Sequence, residues 1–484
     1  MRGIKRFFII CVLTGINLFG LTSCGKETTE LTWCVYDCEQ PEEWQENVNE
    51  LLKKKGLAYR INVYNVSSLG TDFGTELFDY EAYMRFYFDK AGQETMDLIG
   101  MPSIVGYMDF YEEAVRSGLL EPLDSYLESD QEFSEIYPER IWNVMRVNGT
   151  VYGLLNTWEN FKQYYVFNEK YLDKYDITVE DHMEMENIYD LIRFIKEKET
   201  ENGEETFRAA ETWRPFRVPG YEDTVCSLIS IDTRGESPRA VNTLDIPEVQ
   251  KNMEMLAKLF QEECISVGES EDFYEKGQFL LIREYSYSAE SAELRVKQGC
   301  CSGAEIPLKA VACPEGDNVF SRWGYVTGIA AGSRHKTEAA EFLSAVYTDR
   351  ELSDALAYGK EQVDYQKGSG KAEPYDYGQV PFTNRQWFGN NLILTPSGVD
   401  SENREEELRN IYETLPVTKM AGKSLDLSNM ESELQQVMNV YDKYTPVLFG
   451  NGYTEEKRQE IKMELEKAGI QKILDEMNRQ LEGK

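Results

Sequence analysis

Residues 31–100 alternate between two hydrophobic patterns, and this alternation limits the possible folds more than any other feature of the chain. Strand-like segments occur at 31–36, 59–66 and 96–100, and amphipathic helical segments at 41–56 and 76–90 separate them. Consecutive strands that are joined by helices form parallel pairs, because the connection has to return to the same end of the sheet. The pattern therefore predicts an α/β lobe with a doubly wound parallel sheet.

A second set of segments follows the Asn148-Gly149 pair, which supplies the positive φ angles of a tight hairpin turn. Its members are helical at 188–198, 249–260 and 288–296 and strand-like at 164–167, 279–283 and 306–311, and a further strand is expected after them at 325–330. One hydrophobic core does not usually serve a chain of 484 residues. We therefore predict two α/β lobes.

The last part of the chain is predicted to be mostly helical. Thr337 is expected to cap a helix over 337–346, and Asn168 to cap an earlier one. From about residue 402 the helical pattern is nearly continuous, with Pro446 and Gly450 expected to separate two long helices. The chain thus builds one lobe, builds a second, returns, and finishes in helices.

The N-terminus is typical of a bacterial lipoprotein signal. A short basic region precedes an apolar run over 7–21 that is too short to span a bilayer comfortably, and the run ends in Leu21-Thr22-Ser23-Cys24. We predict that residues 1–23 are removed, that Cys24 becomes a lipid-modified (palmitoylated) N-terminus, and that 24–30 form a tether at the extracytoplasmic face of the cell membrane. An ordinary signal peptide or a signal anchor would leave Cys24 unmodified.

Charge and residue usage argue against several functions. The chain has 86 acidic and 51 basic residues, a net charge of −35, which argues against nucleic-acid binding and against a basic membrane-binding patch. Two histidines and nine cysteines without Cys-x-x-Cys spacing argue against a zinc centre, and no Gly-x-Ser-x-Gly motif is present. We expect no metal and no cofactor.

Several motifs, in this order and spacing, resemble one family. The chain is similar to extracellular solute-binding lipoproteins of ABC importers, in their large sugar-binding branch and of the Firmicutes type. The residues that carry the resemblance are LLEPLDSYL (119–127), RVNGTVYG (146–153), YVFNEKYL (165–172), GIAAGS (328–333), EAAEFL (338–343) and TDREL (348–352). The loops at 34–40 and 379–388 match no sugar-binding member, so the identity of the substrate does not carry over.

The resemblance implies a periplasmic-binding-protein-like fold, with two α/β lobes joined at a hinge and a helical C-terminal region. We assign 31–155 and 325–400 to the N-lobe and 156–324 and 401–484 to the C-lobe. The implied function is capture of an extracellular solute, an oligosaccharide or sugar derivative, by hinge closure and its delivery to the transmembrane subunits of an ABC permease. We expect a monomer. The alternatives are a surface-anchored glycosidase and a ligand-binding sensor or adhesin subunit without a transport role.

Ligands of open α/β sheets bind beyond the carboxyl ends of the strands, so the loops that follow the predicted strands are the candidate site. Aromatic rings can stack on the C–H faces of sugars, while carboxylates, amides and guanidinium groups bind the hydroxyls. The candidates are Tyr36, Asp37, Glu39, Asn156, Trp158, Glu159, Tyr285, Arg322 and Trp323. Each tryptophan could instead belong to a core, and Trp213 and Trp387 are weaker candidates of the same kind.

Overall fold

The structure is a computed structural model. It describes residues 28–35, 38, 41–65, 96–103, 110–157, 159, 161–203, 210–211, 215–224, 227–266, 277–299, 301, 305–317, 319–375, 387–423 and 425–482. The predicted helix at 76–90 and the candidates Cys24, Tyr36, Asp37, Glu39 and Trp158 lie outside these residues.

The strands follow one another in this order: β1 (Thr29–Val35), β2 (Tyr59–Asn65), β3 (Leu98–Ser103), β4 (Arg146–Val147), β5 (Thr150–Val151), β6 (Leu154–Thr157), β7 (Lys162–Asn168), β8 (Ala210–Glu211), β9 (Tyr221–Asp223), β10 (Ile229–Asp232), β11 (Arg239–Asn242), β12 (Ile265–Ser266), β13 (Leu281–Ser286), β14 (Leu308–Asp317), β15 (Gly324–Ile329), β16 (Tyr365–Gly368) and β17 (Lys371–Pro374).

The α-helices are α1 (Pro41–Lys54), α2 (Phe110–Arg116), α3 (Asp124–Ser129), α4 (Gln131–Ser134), α5 (Glu139–Met145), α6 (Glu169–Lys174), α7 (Met185–Glu201), α8 (Pro247–Gln261), α9 (Ala289–Gly299), α10 (Lys336–Thr348), α11 (Arg350–Tyr358), α12 (Arg404–Thr414), α13 (Glu431–Leu448), α14 (Glu455–Ala468) and α15 (Ile470–Glu482). Short 3-10 helices cover Thr243–Asp245 and Ser428–Met430.

The first lobe is built on a five-stranded sheet with the order β2-β1-β3-β15-β6. The strands β1, β2 and β3 are parallel, as predicted, whereas β15 is antiparallel to both β3 and β6. The sheet is therefore mixed, because β15 enters from the second lobe and runs back into the first. Helix α1 covers it with Trp44, Val48 and Leu52, which recur at helical spacing and are all buried.

The second lobe is built on another five-stranded sheet, with the order β12-β8-β13-β7-β14. Its two faces carry separate cores: Ile188, Ile192 and Leu256 from α7 and α8 lie on one face, and Ala292 and Val296 from α9 lie on the other. The alternating side chains of β7 and β13 contribute to both cores. A two-sided sheet of this kind confirms the predicted second α/β lobe.

The C-terminal helices complete the second lobe. Helices α13, α14 and α15 form one hydrophobic core with a small antiparallel sheet of order β11-β10-β9. The Asn478 side chain accepts a hydrogen bond from the Ala240 backbone N–H (2.8 Å) and donates one to the Ala240 carbonyl oxygen (3.0 Å). The amide thus satisfies the backbone N–H and carbonyl groups of Ala240 on the edge strand β11, as another strand would. This protects the edge from pairing with a second chain.

The hairpin turn is confirmed, with φ angles of 51° at Asn148 and 86° at Gly149, and the Asn168 side chain caps α6 by accepting from the Lys170 N–H (3.2 Å). The Thr337 cap is wrong: α10 begins one residue earlier, after His335, and has no side-chain cap bond.

The helical tail also differs in detail from its prediction. Pro446 does not end the preceding helix but lies in its last turn, and α13 continues to Leu448. The break falls at Gly450, whose φ angle is 96°. An added Cβ there would lie 2.6 Å from the Leu256 Cβ, so glycine is required by the close approach of the tail to α8.

Candidate functional site

The carboxyl ends of β3 and β6 in the first sheet and of β13 and β14 in the second lie where the chain crosses between the lobes. In the first sheet Ser103 and Thr157 both pair with Gly324, and in the second sheet Ser286 and Asp317 both pair with Lys162. Residues 158–161 and 318–323 connect these two edges. Connections of so few residues span at most about 25 Å, so the two edges lie close together.

A third crossing runs beside the second. The Phe320 N–H donates to the Pro416 carbonyl oxygen (2.6 Å), and the Thr418 N–H donates to the Phe320 carbonyl oxygen (2.9 Å). Residues 416–418 lead from α12, which packs in the first-lobe core through Leu408, to the C-terminal helices. Paired crossing segments of this kind form a hinge between two lobes.

Arg217 brings together two of the sequence-predicted site residues, Tyr285 and Trp323. The guanidinium carbon of Arg217 lies 4.7 Å from the centroid of the Tyr285 ring and 4.9 Å from that of the Trp323 ring. We call these three residues the aromatic–arginine stack. All three side chains are partly exposed, and Trp323 belongs to the crossing while Tyr285 and Arg217 belong to the second lobe.

A buried polar chain holds the Tyr285 end of this stack. The fully buried Gln163 donates from its Nε2 to the Tyr285 hydroxyl (2.8 Å), and it accepts from the Nη2 of Arg283 at its Oε1. Gln163 and Tyr285 are cross-strand partners in β7 and β13, so their side chains lie on the same face of the sheet. The orientation of the Tyr285 ring is therefore fixed by two strands.

Asn156 lies at the carboxyl edge of the first sheet, where a later segment covers it. Its Nδ2 is 3.4 Å from the Phe388 carbonyl oxygen, and the Asn391 Nδ2 donates to the carbonyl oxygen of Thr157. Trp387, at the start of this covering segment, packs edge-on against the Tyr325 ring with centroids 5.4 Å apart and is partly exposed. Asn156 itself is buried, and its role as a ligand contact stays a prediction.

Glu159 and Arg322 lie near the crossings, but both are engaged in buried ion pairs. Glu159 contacts Arg295 and Arg404 with its two carboxylate oxygens. Arg322 contacts Glu112 and donates to the Val144 carbonyl oxygen (2.9 Å) inside the first lobe. Both were predicted from the sequence as polar ligand contacts, and that role stays a prediction.

Sequence reasoning missed Arg217, Gln163, Arg295 and Arg404. The segment Thr212-Trp213-Arg214-Pro215-Phe216-Arg217 could have indicated Arg217, because it combines aromatic and basic residues in a possible cleft loop. The other three have no local signal. Their partners are more than 100 residues away in the sequence, so only the fold brings them together.

The described residues contain neither a candidate metal site nor a candidate membrane span. No cluster of histidine, cysteine, aspartate or glutamate there could hold a metal ion. In that part of the chain, no helix has the length and the apolar composition needed to cross a bilayer.

Glu222 is expected to make stability depend on pH. Burial raises the pKa of its carboxyl group, while hydrogen bonds from the Thr418 hydroxyl and the Lys419 N–H act in the opposite direction. The pKa of Glu222 is therefore higher in the folded protein than in the unfolded chain. Its contribution to stability is complete below the unfolded pKa and is lost as pH rises through the folded pKa. Glu222→Gln should remove this loss. The urea midpoint of the variant, measured relative to that of wild type, should therefore be higher at pH 7 than at pH 4.5. An equal difference at both pH values would contradict the assignment.

Residues 419–483 match the model described as "Domain of unknown function (DUF3502)", which corresponds to the C-terminal helices. A relative described as "Carbohydrate ABC transporter substrate-binding protein", from Streptococcus pneumoniae serotype 4, is 22% identical over 351 residues, which are 69% of this chain and 69% of the relative.

The solved structures that resemble the chain have the same fold. The N-glycan transport solute binding protein NgtS from Streptococcus pneumoniae has a TM-score of 0.70 at 17% identity, covering 95% of this chain and 99% of its own. The alginate-binding protein AlgQ2 has a TM-score of 0.61 at 11% identity, covering 94% and 98%. The chain therefore has the predicted periplasmic-binding-protein-like fold, and it is similar to the solute-binding proteins of carbohydrate ABC importers.

Proposed function

We propose that the protein captures an extracellular oligosaccharide or sugar derivative between its two lobes and delivers it to an ABC permease. The observation that carries the proposal is the aromatic–arginine stack at the meeting edges of the two sheets. Tyr285 and Trp323 offer ring faces that can stack on a sugar, and Arg217 offers N–H donors that can bind hydroxyl or carboxylate oxygens.

The similar proteins support a saccharide as the ligand. NgtS has been crystallised in complex with Man1GlcNAc and with Man5GlcNAc, and AlgQ2 is named as an alginate-binding protein. The curated relative is named as a substrate-binding protein of a carbohydrate ABC transporter. These proteins are named as binding proteins, which favours capture over catalysis for this chain.

The mechanism that we propose is closure about the three crossings. A ligand that contacts both lobes stabilises the closed state, and the closed monomer then docks on the permease. The lobe boundaries at 155/156 and 324/325 are part of this proposal, and we place the third at the crossing 416–418 instead of 400/401, because α12 packs in the first-lobe core.

Titration calorimetry of the full chain with a saccharide panel tests the proposal. The panel should contain mannosyl-N-acetylglucosamine oligomers, alginate oligomers and fructans, with peptides of similar size as controls. Saturable binding of one saccharide class, recovered intact by chromatography, is the expected result. Binding of peptides alone would contradict the sugar assignment, and cleavage of a bound glycan would favour the glycosidase instead.

Cys24 is proposed to carry the lipid that holds the protein at the extracytoplasmic face of the membrane. Cys24→Ser removes the thiol that would be acylated, so the variant should not incorporate radiolabelled palmitate. The matched control is Ser23→Ala, which keeps a small residue before Cys24 and should be labelled like the wild type. Equal labelling of Cys24→Ser and wild type would contradict the proposed anchor.

A further inference from the structure

A buried ionic network lies at the first crossing between the lobes. Its centre is Glu159, which is only 6% exposed. One carboxylate oxygen accepts a hydrogen bond from the Nη2 of Arg295 (2.8 Å), and the other accepts from the Nη2 of Arg404. Both oxygens of this carboxylate are therefore engaged by guanidinium groups.

The two arginines belong to different lobes. Arg295 lies on α9, whose Ala292 and Val296 pack on the second sheet. Arg404 is the first residue of α12, whose Leu408 lies in the first-lobe core. Glu159, on the connection between β6 and β7, thus bridges a cation from each lobe.

Further contacts extend the network along the segment before α12. The Asp400 carboxylate lies 3.4 Å from the Nε of Arg404 and accepts from the Tyr287 hydroxyl (3.1 Å). The Ser291 hydroxyl, on α9, donates to the Val399 carbonyl oxygen (2.9 Å). Asp400 and Arg404 are fully buried, so these contacts are shielded from solvent.

Burial makes this arrangement sensitive to lobe rotation. A charge removed from water needs its partners in good geometry, because solvent cannot replace a lost contact. A rotation that moves α9 away from α12 would pull at least one arginine from Glu159. The network therefore favours a limited range of lobe orientations.

We propose that Glu159 is a positioning residue of the hinge. It sets the relative orientation of the lobes in the ligand-free protein and affects affinity through that orientation, without touching the ligand. This role rests on the proposed capture by hinge closure. Affinity for a ligand depends on how often the protein adopts the binding-competent orientation, so a change in the ligand-free ensemble changes the apparent Kd.

The experiment measures the distance between the lobes with and without ligand. Spin labels at Lys53→Cys on α1 and Glu197→Cys on α7, both exposed positions, report this distance by double electron–electron resonance, in a background whose label-reactive native cysteines are replaced by serine. Glu159→Gln and Arg295→Met are compared with wild type in this labelled background. Glu405→Gln is the matched control. Glu405 follows Arg404 directly in the sequence, but its carboxylate is exposed and pairs with Arg350, outside the network.

Glu159→Gln and Arg295→Met should each displace or broaden the ligand-free distance distribution, and the double variant should add little to either one. Saccharide-saturated distances should match wild type, and Kd should change by about fivefold or more. The control should match wild type throughout. If Glu159→Gln does not fold by circular dichroism, Arg295→Met carries the test, since the Arg295 side chain is 21% exposed.

Two results would overturn the proposal. Ligand-free distributions that superimpose on wild type would show that the network does not set the orientation. A loss of affinity in Glu159→Gln with an unchanged ligand-free distribution would make Glu159 a ligand contact. If wild type binds no saccharide, the proposed function fails, but the ligand-free distances still test the role of Glu159.

Discussion

Trp323→Ala is expected to weaken saccharide binding by about 30-fold, which corresponds to about 2 kcal/mol for an aromatic residue at the centre of a binding surface. The substitution removes one of the two rings that flank Arg217, and it removes the ring that the crossing segment contributes. Tyr285 and Arg217 would remain, but without the Trp323 face. Titration calorimetry with the saccharide that binds wild type measures the effect.

Two variants test whether the loss of affinity is specific to the ring at position 323. Trp323→Phe keeps a flat apolar face and should recover part of the affinity. Phe194→Ala removes an aromatic ring on α7 that is 42% exposed and packs on Tyr175, and it should leave the Kd unchanged. Equal affinities of Trp323→Ala and wild type would remove Trp323 from the site.

Gly324→Ala is expected to destabilise the protein by about 3 kcal/mol, as severe overpacking in a core does. A Cβ at this position would lie 2.1 Å from the carbonyl oxygen of Asn156 and 2.8 Å from the Cα of Thr157. These are backbone atoms of β6, so neither can move aside without separating β15 from β6. Urea unfolding should show a clearly lower midpoint than wild type.

Gly332→Ala is the matched control for this substitution. A Cβ at Gly332 meets nothing within 4 Å, and the position follows the same strand, so its effect should stay within about 0.5 kcal/mol. If Gly324→Ala and Gly332→Ala unfold at the same urea concentration as wild type, the tight approach of β15 to β6 is not a constraint on stability. If Gly324→Ala also lowers saccharide affinity, close pairing of β15 with β6 is needed to hold the neighbouring Trp323 in place.

The local hydrophobic pattern of the chain was sufficient to predict many of its helices and strands. Hydrophobic periodicity identified β1, α1 and β2, because each of these elements buries one face or one stripe and repeats its apolar residues accordingly. It did not identify the direction of β15. Strand direction within a sheet depends on where the preceding segment ends in space, and β15 arrives from the second lobe.

The candidate site was only partly predictable, because its residues come from distant segments of the chain. The rule that ligands bind beyond strand ends selected Tyr285, and the segment before the strand that enters the hinge supplied Trp323; the structure brings both together around Arg217. The same two segments also supplied Glu159 and Arg322, whose charges the structure places in buried pairs with arginine or glutamate partners from distant segments. A sequence does not distinguish a charge that faces a cleft from one that faces a buried partner.

The sequence by itself therefore determined the α/β class, the two lobes, the helical end and the candidate anchor at Cys24. Each of these depends on short-range periodicity or on a contiguous motif. Only the tertiary structure decided which side chains meet at the hinge. The contacts of Glu159 with Arg295 and Arg404 join residues 136 and 245 positions apart, and their pairing follows from burial, which requires every charge removed from water to find a partner.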